Sequence, residues 1–157
     1  MKYLITLLFI ATTSMAFAQS KKQVKANKIK ASMVTTIENG KTINENKTIF
    51  DAKGNAIEKT DYNKEGLVKA VHKIKYNAEG DEIEDEEYDA TNKLVEKTII
   101  KYNSNSEKTE EIISDASGKF LKKHVYVYSS KGLKVERKTL DVEGKLISTK
   151  KFVYVTK

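Results

Sequence analysis

Tyr62-Asn63-Lys64-Glu65-Gly66 and Tyr76-Asn77-Ala78-Glu79-Gly80 are two copies of one pattern: an aromatic residue, Asn or Asp, two variable positions, then Gly. Phe50-Asp51-Ala52-Lys53-Gly54 is a third. The chemistry is that of a hairpin turn. Asn or Asp at the first turn position accepts from backbone N–H groups ahead of it, and Gly takes the left-handed conformation that closes a type I turn with a G1 bulge. The segments between the turns alternate with period 2 and are rich in Val, Ile, Thr and Tyr, as strands are. Strands joined by turns this short must be antiparallel.

The same punctuation runs along the chain. All seven glycines (40, 54, 66, 80, 118, 132 and 144) fall on one ladder, with Asn92 and Ser106 on its two vacant rungs. Steps of 14 and 12 residues alternate, giving a 26-residue unit of one long and one short segment. Internal repetition on this scale is read before any other feature. It predicts an all-β fold over 28–157, an antiparallel meander of about ten strands starting near Lys28 and ending near Val155, as an elongated or partly single-layered sheet. Asn tolerates the left-handed region better than Ser, so the turn at Ser106 is expected to be the loosest.

Tyr88-Asp89-Ala90-Thr91-Asn92-Lys93-Leu94 and Leu140-Asp141-Val142-Glu143-Gly144-Lys145-Leu146 resemble the YD repeats of Rhs-type proteins, which run Tyr-Asp-x-x-Gly-x-Leu. The likeness extends over 50–154, and the strict 12/14 alternation departs from the usual YD period. YwqK/MORN-like hairpin repeats are a second resemblance. Both imply repetitive β scaffolds, often exported or on surfaces, with no catalytic signature in the motif. The shell that large Rhs proteins wrap around a toxin is not implied, because five units are too few to enclose anything.

The turns also set an expected register. Pairing the aromatic with the residue two after Gly places Tyr62 opposite Val68, Tyr88 opposite Leu94 and Leu140 opposite Leu146. The other rim carries Phe50, Tyr76, Tyr102, Tyr128 and Tyr154. Continued inward without interruption, this register puts Glu58, Glu84, Glu110 and Glu136 on the same face, opposite His72, Thr98, His124 and Lys150. An apolar row (Ile43, Ile57, Ile83, Val95, Leu121, Val135, Ile147) is expected on the other face. A closed membrane barrel is disfavoured, since neither face offers an uninterrupted apolar row.

Ahead of the repeats, Lys2 and the apolar run from Tyr3 to Ala11 precede Ala16-Phe17-Ala18, the order of a secretory signal peptide over 1–18 cleaved before Gln19. The apolar run is too short to span a bilayer. The mature chain is therefore expected to be exported, periplasmic or secreted, with no integral membrane segment. No cysteine exists to be acylated or to form a disulfide.

The net charge of +7 is concentrated. Lys21, Lys22 and Lys25 lie in a basic arm over 19–27, with Lys28 and Lys30 just beyond it. From 36 to 157 the chain holds 23 basic and 22 acidic residues, with eight acidic and no basic residues in 79–89. Export and this near-neutral body argue against nucleic acid as partner.

Sequence chemistry points away from an enzyme. With no Cys and with His72 and His124 two repeats apart, no nucleophilic constellation assembles. Each His with Glu58 or Glu110 makes at most two ligands, short of a metal site. The four glutamates are copies of one position, unlike a glycosidase pair. No catalytic, cofactor or metal residue is expected. The tyrosines at 76, 102, 128 and 154 carry the binding expectation: equivalent, repeated rings with polar cross-strand partners Glu82, Lys108 and Lys134. They suit contact with a protein or glycan at the cell envelope, while packing over their own turns is the structural reading. An antitoxin-like, partner-inhibiting role is the alternative that the YwqK likeness implies.

Overall fold

The computed structural model describes residues 20–155; the signal-peptide reading over 1–18 and the cleavage site at Gln19 lie outside the described residues. A short helix, α1 (Lys21–Ala26), is followed by ten strands. These are β1 (Ala31–Glu38), β2 (Lys41–Phe50), β3 (Ala56–Tyr62), β4 (Val68–Tyr76) and β5 (Glu82–Asp89), then β6 (Leu94–Tyr102), β7 (Lys108–Asp115), β8 (Phe120–Tyr128), β9 (Lys134–Leu140) and β10 (Leu146–Lys151). They form one elongated antiparallel sheet in sequence order, not closed into a barrel, so β1 and β10 are its edges. Among the described residues no helix is long and apolar enough to cross a membrane.

Eight of the nine turns share one hydrogen-bond set. At Asp51 the backbone N–H donates to the Asn55 carbonyl (2.9 Å) and the Gly54 N–H donates back to the Asp51 carbonyl (3.0 Å); the pattern recurs down to Asp141 and Gly144. The Asp51 carboxylate accepts from the N–H groups of Lys53 and Asn55, both at 2.8 Å, as the turn chemistry requires. Ser106 keeps this geometry at φ 57°, with Asn103 accepting from Asn105 and Glu107 at 3.0 Å. The longest side-chain bonds instead belong to Ser129, whose hydroxyl accepts from Lys131 and Leu133 at 3.3 and 3.2 Å. A hydroxyl on a shorter arm reaches these donors less well than a carboxylate or amide. The first turn departs from the rest: Asn39 (φ 51°) and Gly40 (φ 74°) close a two-residue hairpin between Glu38 and Lys41, the type I′ geometry that Asn-Gly favours.

The aromatic pairings next to the turns hold: Tyr62 lies opposite Val68, Tyr88 opposite Leu94 and Leu140 opposite Leu146. The inward register does not. One residue past each of these pairs a bulge inserts an extra residue, so Glu58 pairs with Lys73, Glu84 with Ile99, Glu110 with Val125 and Glu136 with Lys151. Because side chains alternate with period 2, a one-residue slip moves a whole set to the opposite face. Tyr62, Tyr88 and the glutamate ladder therefore share one face. Tyr76, Tyr102 and Tyr128 share the other with His72, Thr98, His124 and Lys150.

The expected apolar row is largely this set of bulged residues. Ile57, Ile83, Val95, Leu121 and Ile147 sit outside the regular ladder and remain exposed. Burial is concentrated on the Tyr76 face, at Ala70, Ile74, Ile100, Ile113 and Thr139.

The basic arm is a docked helix. Ser20 and Gln23 form a capping box, satisfying two of the backbone donors a helix N-terminus leaves open. At the other end Lys28, at φ 53°, donates to the Lys25 carbonyl and Ile29 donates to the Val24 carbonyl, a Schellman motif with Lys where Gly is usual. Val24 is 1% exposed, the most deeply buried apolar side chain described. The helix lies against the β2–β3 turn so closely that a Cβ on Gly54 would sit 2.7 Å from the Lys21 carbonyl oxygen.

Candidate functional site

The even-numbered strands end at one rim of the sheet; β2 puts Phe50 there and each later one a tyrosine. Tyr76, Tyr102 and Tyr128 close β4, β6 and β8, and Tyr154 follows β10. On one side each of the first three pairs with the opening residue of the next strand: Glu82, Lys108 and Lys134, as expected. On the other side the ring leans across the preceding strand. The Tyr76 hydroxyl donates to the Ala56 carbonyl (2.9 Å), Tyr102 to Glu82 (2.9 Å), Tyr128 to Lys108 (3.0 Å) and Tyr154 to Lys134 (2.8 Å). One contact is thus made four times, always to the backbone 20 residues upstream.

Each phenol satisfies a rim carbonyl, so what the rim presents outward is ring surface. Tyr76, Tyr102 and Tyr128 are half-buried, whereas Tyr154, just past the edge strand β10, is 51% exposed. Burial, reinforced by the charge of Glu82, pushes the phenols of Tyr76 and Tyr102 up to about 12. Tyr128 is raised as well, chiefly by burial.

One pleat inward the face changes along its length. Ile74 and Ile100 are buried behind Tyr76 and Tyr102. The equivalent positions at the C-terminal end hold aromatics, Tyr126 and Phe152. Tyr126 donates to Glu111 at 2.7 Å, and Lys134 sits 4.4 Å from its ring centroid. Burial and the bond to Glu111 hold the Tyr126 phenol far above its ordinary value. The Glu111 carboxyl is pushed up by burial, yet the bonds from Lys108 and Tyr126 leave it below the usual range.

The histidines part company with the glutamates because of the bulges. The His72 Nδ1 lies 3.1 Å from Asp85, and the His124 Nδ1 lies 3.0 Å from the Thr139 hydroxyl. On the opposite face Glu84 bridges Lys75 (2.6 Å) and Lys97 (3.0 Å), and one repeat later Glu110 bridges Lys101 and Lys123, both at 3.0 Å. From Glu84 onward the ladder of acids is paired with lysines, Glu136 with Lys138 at 3.4 Å. Such half-exposed pairs contribute only about 0–1 kcal/mol each. Among the described residues no group of three or more His, Asp and Glu side chains could hold a metal.

Sequence reasoning singled out the four tyrosines and the partner Lys134 but passed over Glu111 and Arg137. Comparing the repeats position by position would have found them, since Arg137 is the chain's single arginine.

No family profile matches the chain and no curated protein matches it. Among solved structures it is similar to a protein of unknown function from Bacteroides fragilis, at 15% identity and TM-score 0.42, over 81% of this chain and 96% of that one. It is also similar to part of TarM (16% identity, TM-score 0.31, 80% of this chain and 22% of that one). A third similarity is to part of a GtfA/B complex bound to UDP and GlcNAc (15% identity, TM-score 0.25, 76% and 24%). Likenesses this remote bring no activity to this chain.

Proposed function

We propose that this chain is an exported, non-enzymatic β-repeat module that binds a protein or glycan at the cell envelope through the rim of Tyr76, Tyr102, Tyr128 and Tyr154. In this reading 26-residue hairpins of the YD type stack into a partly single-layered sheet, and the stacking repeats one weak contact. The observation that carries it is the recurrent hydroxyl-to-carbonyl bond, which fixes four rings in the same pose. Rings on alternate strands stand roughly 9–10 Å apart. A ligand with its own repeat can engage several at once, turning weak contacts into useful affinity. Rigid aromatic side chains also lose little entropy on binding.

The experiment compares two pairs of substitutions in capture from an envelope fraction. Tyr102→Ser with Tyr128→Ser removes two rings, and Tyr102→Phe with Tyr128→Phe removes only two hydroxyls. Folded Ser variants are expected to lose the captured species while the Phe variants keep it. Equal capture by the Ser variants overturns the rim as a binding surface. Mass spectrometry of exported material is expected to show Gln19 as the first residue, and an intact chain retained in the membrane overturns the export reading.

A further inference from the structure

The C-terminal end of the tyrosine face departs from its own repeat in a consistent direction. Four cross-strand triplets occupy equivalent places on that face, the first being Thr48, Lys59 and His72 across β2, β3 and β4. Ile74, Asp85 and Thr98 are paired across β4, β5 and β6, and Ile100, Glu111 and His124 across β6, β7 and β8. Tyr126, Arg137 and Lys150 follow across β8, β9 and β10. Relative to the two central triplets, the aliphatic position has become aromatic, the acid has become arginine and the third position has become lysine, so that two cations stand beside a ring where the first triplet has Lys59 alone.

The cations of this last triplet have no acid partner. Among the described residues neither Arg137 nor Lys150 has a carboxylate at ion-pairing distance, and Lys134 has none either. The Arg137 Nε is buried without a hydrogen-bond partner. Glu111, the acid bonded to Tyr126 on this face, is already engaged by Lys108 as well. The lysines lie over rings instead: Lys134 at 4.4 Å from the centroid of Tyr126, and Lys150 at 5.7 Å from that of Phe152. Cations and aromatic faces therefore alternate on β8–β10, where a planar guanidinium suits a carboxylate or phosphate and ring faces suit the flat apolar side of a sugar.

We propose that the tyrosine face of β8–β10 binds an acidic polysaccharide chain, with Arg137, Lys134 and Lys150 taking its anionic groups and Tyr126, Tyr128 and Phe152 stacking against its sugars. This rests on the reading of the rim as a binding surface and names its ligand class. Rings two strands apart, roughly 9–10 Å, match the length of a disaccharide unit. An exported chain meets such polymers outside the inner membrane.

The test measures binding of the full mature chain to polygalacturonate, to neutral amylose and to oligothymidylate. Polygalacturonate is expected to bind, more tightly than oligothymidylate, with affinity falling as salt rises, and amylose to bind at least tenfold more weakly. Arg137→Gln with Lys150→Gln should weaken polygalacturonate at least tenfold and flatten the salt dependence. Lys151→Gln, at an exposed position on the opposite face, should change nothing. Should Arg137→Gln fail to fold, Lys134→Gln with Lys150→Gln gives the same reading. Unchanged affinity in a folded cation variant overturns the proposal. If that happens while Tyr102→Ser with Tyr128→Ser abolishes binding, the rim reading stands and the acidic ligand falls. Tighter binding to oligothymidylate overturns it in favour of single-stranded nucleic acid.

Discussion

The Tyr102 hydroxyl donates to the Glu82 backbone carbonyl across 2.9 Å, joining the end of β6 to the start of β5 through a side chain. That carbonyl belongs to the residue that opens β5 at the sheet rim. Tyr102→Phe keeps the ring and leaves the carbonyl without this donor. It is expected to cost about 1 kcal/mol in urea unfolding, and Tyr102→Ser clearly more.

The same bond sets an alkaline limit. The Tyr76 and Tyr102 phenols are held at about 12, whereas an unfolded tyrosine ionises near its ordinary 10. Below about 10 both states carry the proton and the contribution is fully present. Between about 10 and 12 the unfolded chain gives up protons that the folded chain keeps, so stability falls as pH rises. Unfolding midpoints in this window should drop less steeply in the Tyr76→Phe, Tyr102→Phe double variant than in the parent.

Gly54 and Gly66 have nearly the same backbone, at φ 82° and 78°, but different surroundings. A Cβ at Gly66 meets nothing within 4 Å, while one at Gly54 meets the Lys21 carbonyl. Gly66→Ala should cost only left-handed strain, about 1 kcal/mol. Gly54→Ala should cost more and should speed amide exchange in α1, because the helix must move to admit the methyl. Equal effects would mean that the helix is not seated on that turn.

Ser106 holds φ 57° in a place where every glycine turn meets no such strain. Ser106→Gly should therefore stabilise the chain, by up to about 1 kcal/mol after the entropy that Gly adds to the unfolded state. A destabilised variant would show that the hydroxyl contributes something the turn geometry does not reveal.

The strand count, the turn positions and the rim pairings were legible because the turns carry their own chemistry, Asp or Asn first in seven of the eight longer ones and Gly fourth in six. The faces were not, because a bulge next to a turn leaves no mark in the alternation. Ile57 and Ile83 read as core on period 2 and are the extra residues of bulges. The same slip separates His72 from Glu58, the pair that a two-ligand metal site would need. The docked helix could have been read: Ser20 and Gln23 have capping-box spacing, and Val24 is its apolar contact. The Arg137 triplet was hidden by treating the repeats as copies when their differences carry the information.

His124 supplies the last expectation, an acid-side loss of stability. Burial is the main cause that holds its imidazole below the ordinary 6.5, and the charge of Arg137 on the paired face of β9 adds to it. Lys122 acts in the same direction, while Glu111 and Glu96 pull upward without prevailing. Protonation therefore favours the unfolded chain. The neutral imidazole's contribution is whole above about 6.5 and is lost as pH falls through that value towards the lower folded one. Losses from the carboxylates held low at Asp51, Glu84 and Glu110 come in a separate window, below about 4.5. His124→Gln should flatten stability between about pH 7 and pH 5 and leave the lower window untouched. Arg137→Gln should move the imidazole titration upward when followed by NMR. A parent His124 that titrates above 6.5 would remove the basis of this expectation.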